Sequence, residues 1–108
     1  MSRLAGTAAE RDVERFLRQQ GLKLIVRNFH SRFGEIDLVM RHRGETVFVE
    51  VKARSSDLFG GAVASFDRKK RRMLERTAAA YLGRHGLWDK PCRFDLVTVE
   101  SRSGLLPW

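Results

Sequence analysis

Two runs of alternating side chains, Glu35-Ile-Asp-Leu-Val-Met-Arg41 and Thr46-Val-Phe-Val-Glu-Val-Lys-Ala-Arg54, flank His42-Arg43-Gly44-Glu45 and constrain this chain more than any other feature. A period of two is that of a β-strand. The short polar link carries a glycine free to take positive φ, so the whole reads as a hairpin. With Arg43-Gly44 at its centre, facing residues sum to 87 and Asp37 falls opposite Glu50. In the second run Val47, Val49 and Val51 share one face, and Phe48, Glu50 and Lys52 the other. The Glu50 carboxylate and the Lys52 ammonium therefore stand about 7 Å apart on one side of the strand.

Opposed carboxylates about 5 Å apart repel by about 3 kcal/mol at an effective dielectric near 20. Two resolutions are open. A divalent cation between them turns repulsion into attraction, and an oxygen-only donor set suits Mg²⁺. A lysine beside such an ion can orient or deprotonate water and offset charge on a phosphoryl oxygen. Alternatively the hairpin is an ordinary solvated one, and Arg41, Arg43 and Arg54 absorb the carboxylates as ion pairs.

The rest of the chain narrows the classes. Its 108 residues make one domain, 1–108, with short flexible ends expected at 1–6 and 101–108. The longest apolar stretches are far too short to span a membrane, and the N-terminus lacks the apolar core of a signal peptide. A cytoplasmic protein is expected. Cys92 is the sole cysteine, which excludes an internal disulfide and a cysteine-based zinc site and suits a small buried hydrophobe. A net charge of +8 favours polyanionic partners, nucleic acid first and an anionic membrane surface second. His30, His42 and His85 have no metal-ligand spacing, and no phosphate-cradling glycine loop or Ser-His-Asp arrangement occurs.

The order of elements reads as helix, three strands, helix, strand, an α/β layer with one mixed sheet. Thr7-Ala-Ala-Glu10 forms a capping box for a helix to about Gln20, closing at Gly21, with Val13, Phe16 and Leu17 as its apolar stripe. Leu24 to Phe29 reads as a strand, followed by a polar link through Ser31 and Gly34. The hairpin strands span 35–42 and 46–54. Ser55 to Phe66 reads as a loop, and Asp67 caps a helix to about Gly83. Cys92 to Glu100 alternates as the last strand. Trp88 and Trp108 could stack on bases, although packing suits each better.

Two helical residues point inward. Glu10 flanks the buried stripe of the first helix, where it serves the capping box, a site at the sheet, or both. Lys70 falls with Leu74, Thr77, Ala78 and Tyr81 on the inner face of the second helix, in a first turn where the dipole disfavours a cation. That points to an anion nearby, or to a lysine snorkelling along its stem to water. Arg68, Arg71, Arg72 and Arg76 lie on the outer side.

Gly34-Glu-Ile-Asp-Leu-Val39, Val47-Phe-Val-Glu-Val-Lys52 with Arg54, Phe59-Gly60, the Lys70 helix and Cys92-Arg-Phe-Asp-Leu-Val97, together with Glu10 and Asn28, resemble the YraN-like family, an uncharacterised family regarded as endonucleases. That family looks like a member of the restriction-endonuclease-like superfamily, the PD-(D/E)xK nucleases. The resemblance implies a central mixed sheet flanked by helices, with the acidic hairpin at its middle. It makes Asp37 the first acid, Glu50 the second, Lys52 the lysine and Glu10 the acid of the first helix. Ile36 stands where the motif's name has proline, and no ligand is lost.

The leading expectation is a metal-dependent endonuclease hydrolysing phosphodiester bonds in DNA, structured or branched DNA included, with Mg²⁺ or Mn²⁺ as cofactor. Asp37, Glu50 and the carbonyl of Val51 would hold the ion, Lys52 would position water, and Glu10 would steady the ion's water shell. Lys70, Arg54, Arg68 and Arg72 would contact phosphates. A homodimer suits the small surface available for gripping a duplex. The alternative is a non-catalytic nucleic-acid-binding module of the same fold; a third reading is an interaction protein working through its sheet edge or a dimer face.

Overall fold

The computed structural model describes residues 8–55 and 68–101. Its elements are α1 (Ala8–Gln19), β1 (Lys23–Ser31), β2 (Gly34–His42), β3 (Glu45–Ser55), α2 (Arg68–Arg84) and β4 (Cys92–Ser101). The four strands form one mixed sheet in the order β1-β2-β3-β4. β1, β2 and β3 pair antiparallel, and β4 runs parallel to β3 after the chain returns through α2.

The expected hairpin is present in its expected register. Leu38 pairs with Val49, Met40 with Val47 and His42 with Glu45, each summing to 87. Arg43 and Gly44 both take positive φ, 54° and 81°, the signature of a type I′ turn whose twist matches that of the strands. Alternation along β3 then sorts the core into two layers. Val47, Val49 and Val51 pack with Val13, Leu17 and Leu22 on the α1 side. Phe48 packs with Phe29, Val39, Leu74, Ala78 and Tyr81 on the α2 side. One helix therefore covers each face of the sheet, and β3 is buried on both.

Several sequence expectations need adjustment. Phe16 is 54% exposed and does not belong to the buried stripe of α1. Glu10, Val13, Glu14 and Leu17 face the sheet instead, at spacings of three, one and three residues, and Phe16 falls off that face. Trp88 is 68% exposed rather than packed. Strand β1 continues past Phe29 to Ser31, leaving only Arg32-Phe33 as the turn into β2. Cys92 is half-buried against the α2-side cluster. The capping residues Thr7 and Asp67, the Phe59-Gly60-Gly61 stretch and Trp108 lie outside the described residues.

Candidate active site

The β2–β3 ladder stops at Leu38↔Val49, although β3 continues to Ser55 alongside β4. By register, Ile36 and Val51 form the next hydrogen-bonded pair. That exchange is replaced: the Val51 N–H donates to Asp37 Oδ2 at 2.7 Å. The aspartate thus stands in for a ladder carbonyl, and β2 loses its alternation there. Ile36 joins Val39 in the α2-side cluster although their positions differ by an odd number. Neighbouring β1 carries a matching irregularity, with Asn28 at φ 56° between Arg27↔Leu38 and Phe29↔Ile36. A residue's N–H and C=O project to the same side of a strand, so the Val51 carbonyl is directed toward the same gap.

Asp37 is 3% exposed. The Glu50 side chain, 12% exposed, comes within hydrogen-bonding range of it. The opposed acids expected from the register do meet. Burial raises the Glu50 pKa above the ordinary carboxylate value, and the Asp37 charge raises it further. Lys70 opposes both effects: its Nζ lies 2.8 Å from Glu50 Oε2, an attraction of about 6 kcal/mol at an effective dielectric near 20. Lys70 is itself half-buried. Its burial disfavours the ammonium, but the hydrogen bond and charge of Glu50, with the charge of Asp37, leave its pKa raised on balance. Lys52 approaches Lys70 from the strand face it shares with Glu50. Two acids and two lysines from β2, β3 and α2 therefore meet where the hairpin opens.

The inward Lys70 with an anion beside it was legible from the helical wheel, and the anion is Glu50. Arg41 turns back to Thr46 Oγ1 and the Gly44 carbonyl at 3.5 and 3.4 Å. Glu10 is buried in the first turn of α1. Asp37 and Glu50 remain a pair: among the described residues no group of three or more His, Cys, Asp or Glu side chains is arranged to hold a metal ion. Arg68 and Arg72 are exposed on the outer side of α2. Arg54 lies in β3 opposite Glu100, and its side chain is outside the described set.

A cleft of about 240 Å³ opens beside Glu50 between α2 and β4, lined by Ile36, Phe48, Leu74, Arg71 and Phe94. Phe94 is partly exposed there and lies 5.3 Å from Phe48 at a tilt of 33°. Glu50 on its lining is in contact with Asp37, and the lining also carries the carboxylates of Glu75 and Asp95. A hard divalent cation suits a set of oxygen donors of this kind. Two features escaped the sequence reading: the role of Asp37 as a ladder acceptor, and the burial of Glu14 under Arg27.

A small mixed α/β protein, with a carboxylate pair and two lysines at a strand divergence, is the class these features define. Residues 9–99 match the uncharacterised protein family UPF0102, and the chain belongs to that family. It is 49% identical over 104 residues to a UPF0102 protein of Nitrosomonas europaea, covering 95% of this chain and 87% of that one. A UPF0102 protein of Methylobacillus flagellatus is 50% identical over 97 residues, covering 90% and 84%. One from Legionella pneumophila is 37% identical over 109 residues, covering 100% and 92%. No helix among the described residues is long and apolar enough to cross a membrane.

Proposed function

We propose that this protein is a metal-dependent nuclease of the restriction-endonuclease-like PD-(D/E)xK type, hydrolysing phosphodiester bonds in DNA. The observation that carries the reading is the contact between Asp37 and Glu50, two mostly buried acids held together at the gap where β2 leaves β3. Such a contact costs stability, and a fold that retains it for packing alone has no evident gain. Asp37, Glu50 and the Val51 carbonyl would hold Mg²⁺ or Mn²⁺. When bound, the ion supplies Lewis acidity at a phosphoryl oxygen and lowers the pKa of water.

The chain's own residues do the remainder. Asp37 is oriented by the Val51 N–H, which fixes its carboxylate toward the gap. Lys52 shares the strand face of Glu50 and is placed to hold the attacking water and to offset the charge that develops on phosphorus-bound oxygen. Lys70 neutralises Glu50 in the free protein, and can pass to a substrate phosphate once another cation takes that task. The cleft beside Phe94 gives room for the nucleotide next to the scissile bond.

The Lys70–Glu50 pair also supports a second reading. A site that already carries its own counter-cation suits a non-catalytic nucleic-acid-binding module. The two are separated by a cleavage assay over duplex, single-stranded and branched DNA with Mg²⁺ or Mn²⁺ against EDTA. Metal-dependent cleavage lost in Glu50→Ala is expected. Lys52→Ala should lower cleavage about 100-fold or more with nearly unchanged DNA affinity, as befits a group acting on the transition state. Binding without cleavage under either metal would transfer the conclusion to the binding module.

A further inference from the structure

On the α1 side of the sheet, away from Lys70, a groove of about 430 Å³ is lined by Arg11, Glu14, Arg15, Arg18, Gln19 and Arg27. Arg11, Arg15 and Arg18 stand at i, i+4 and i+7 on one stripe of α1, with rises of about 6 and 4.5 Å between successive members. Arg27 reaches the same groove from β1. Beneath them Glu14 keeps only 8% of its side chain exposed. It accepts from Arg27 Nε at 2.8 Å and Nη2 at 3.0 Å, and from Arg18 Nη1 at 3.2 Å. Arg15 is steadied by Asp12 at 3.1 Å.

Four guanidinium groups thus face a single lining carboxylate, and that carboxylate is spent on holding two of them. The bidentate Arg27–Glu14 pair on a buried carboxylate steadies the seat of α1 on β1, but that alone does not account for a row of guanidinium groups along one groove. The row is well explained as preorganisation. An arginine fixed along its Nε–Nη2 edge keeps its remaining N–H groups aimed outward, and loses less rotamer entropy when an anion arrives. The planar fork matches phosphate oxygens, and a row of such forks matches a polymer of phosphates better than a lone anion. The groove lies on the opposite face of the sheet from Glu50 and Lys70, with Arg27 paired to Leu38 on the α1 side.

We propose that this arginine groove of α1 and β1 binds the phosphate backbone of nucleic acid. The inference rests on the nuclease reading for its ligand, nucleic acid, and on Glu14, Arg18 and Arg27 for its place. It assigns backbone binding to a surface other than the outer face of α2. Contacts of this kind are independent of sequence and released by salt.

The test is the anisotropy of a labelled duplex and a labelled single strand over about 50–300 mM salt. It compares the wild type, Arg15→Gln/Arg18→Gln on exposed positions, and Arg68→Gln/Arg72→Gln on α2. Loss of two contacts should lower the slope of log affinity against log salt by about 1.8 for duplex and weaken binding about tenfold or more near 100 mM. The α2 double variant should change it less. Glu14→Gln should weaken binding with every arginine retained, which a purely electrostatic surface would not do. Unchanged affinity in Arg15→Gln/Arg18→Gln, with the wild type binding and Glu50-dependent cleavage intact, overturns the groove and leaves the nuclease reading standing. A wild type that binds no nucleic acid overturns both. Retained DNA binding with loss of binding to polyglutamate would overturn the proposal by assigning the groove to an acidic protein.

Discussion

At the scale of single residues, Asp37 has two tasks that can be separated. Its oxygen completes the backbone hydrogen bonding of β3, and its charge lies against Glu50. Asp37→Asn retains an acceptor for the Val51 N–H and removes one of two like charges. Its melting temperature in EDTA is expected to equal or exceed that of the wild type. The rise that millimolar Mn²⁺ produces in the wild type should vanish in the variant, as measured by thermal unfolding. An equal Mn²⁺ response in both proteins would locate the ion elsewhere. The contact of Asp37 with Glu50 was readable from the 87-sum register, because a hairpin's pairing follows from its turn. The hydrogen bond to Val51 was not, since it exists only because the ladder breaks.

At the scale of elements, the seating of α2 on β2 is decided at one close approach. Gly34 has φ +152°, and a Cβ there would lie 2.6 Å from Met73 Sδ and 2.7 Å from Met73 Cγ. Ser31 Oγ, beside it, is 3.3 Å from Thr77 Oγ1, which donates to the Met73 carbonyl. Gly34→Ala therefore strains the backbone and displaces the helix that carries Lys70. A loss of about 1–3 kcal/mol is expected in urea unfolding. Met73→Ala should recover part of the loss by opening that space. No recovery would confine the cost to the backbone angle. The helix and its inward face were evident from the 3.6-residue period. The importance of Gly34 was not, because the atom it makes room for is 39 positions away.

At the scale of the whole molecule, acid stability depends on two glutamates of opposite behaviour. Arg27 first, then Arg18, hold the Glu14 pKa below its ordinary 4.5 against the cost of burial. A depressed folded value contributes stability that is present above about 4.5 and lost as pH falls through the folded value. The raised Glu50 acts in reverse: its contribution is present at low pH and lost as pH rises through its folded value. Glu14→Gln should thus melt below the wild type at pH 7, with the gap shrinking toward zero as the pH falls below about 4.5 and through the lowered folded value in a thermal series. A gap that stays constant would mean that the ionised form of Glu14 contributes nothing to the fold.

What the sequence determined by itself is what local periodicity determines. The type I′ hairpin and its register, the faces of β3 and the inner face of α2 all follow from spacings within one element or across one tight turn. Tertiary structure decided where those regularities fail. It put Asp37 in a ladder position, turned Ile36 to the α2 side and excluded Phe16 from the core. It also buried Glu14 beneath an arginine 13 positions away and set Lys70 on Glu50. Each of these joins residues whose nearness depends on how helices seat on the sheet, and the cost of burying charge is settled only there, by which partner arrives.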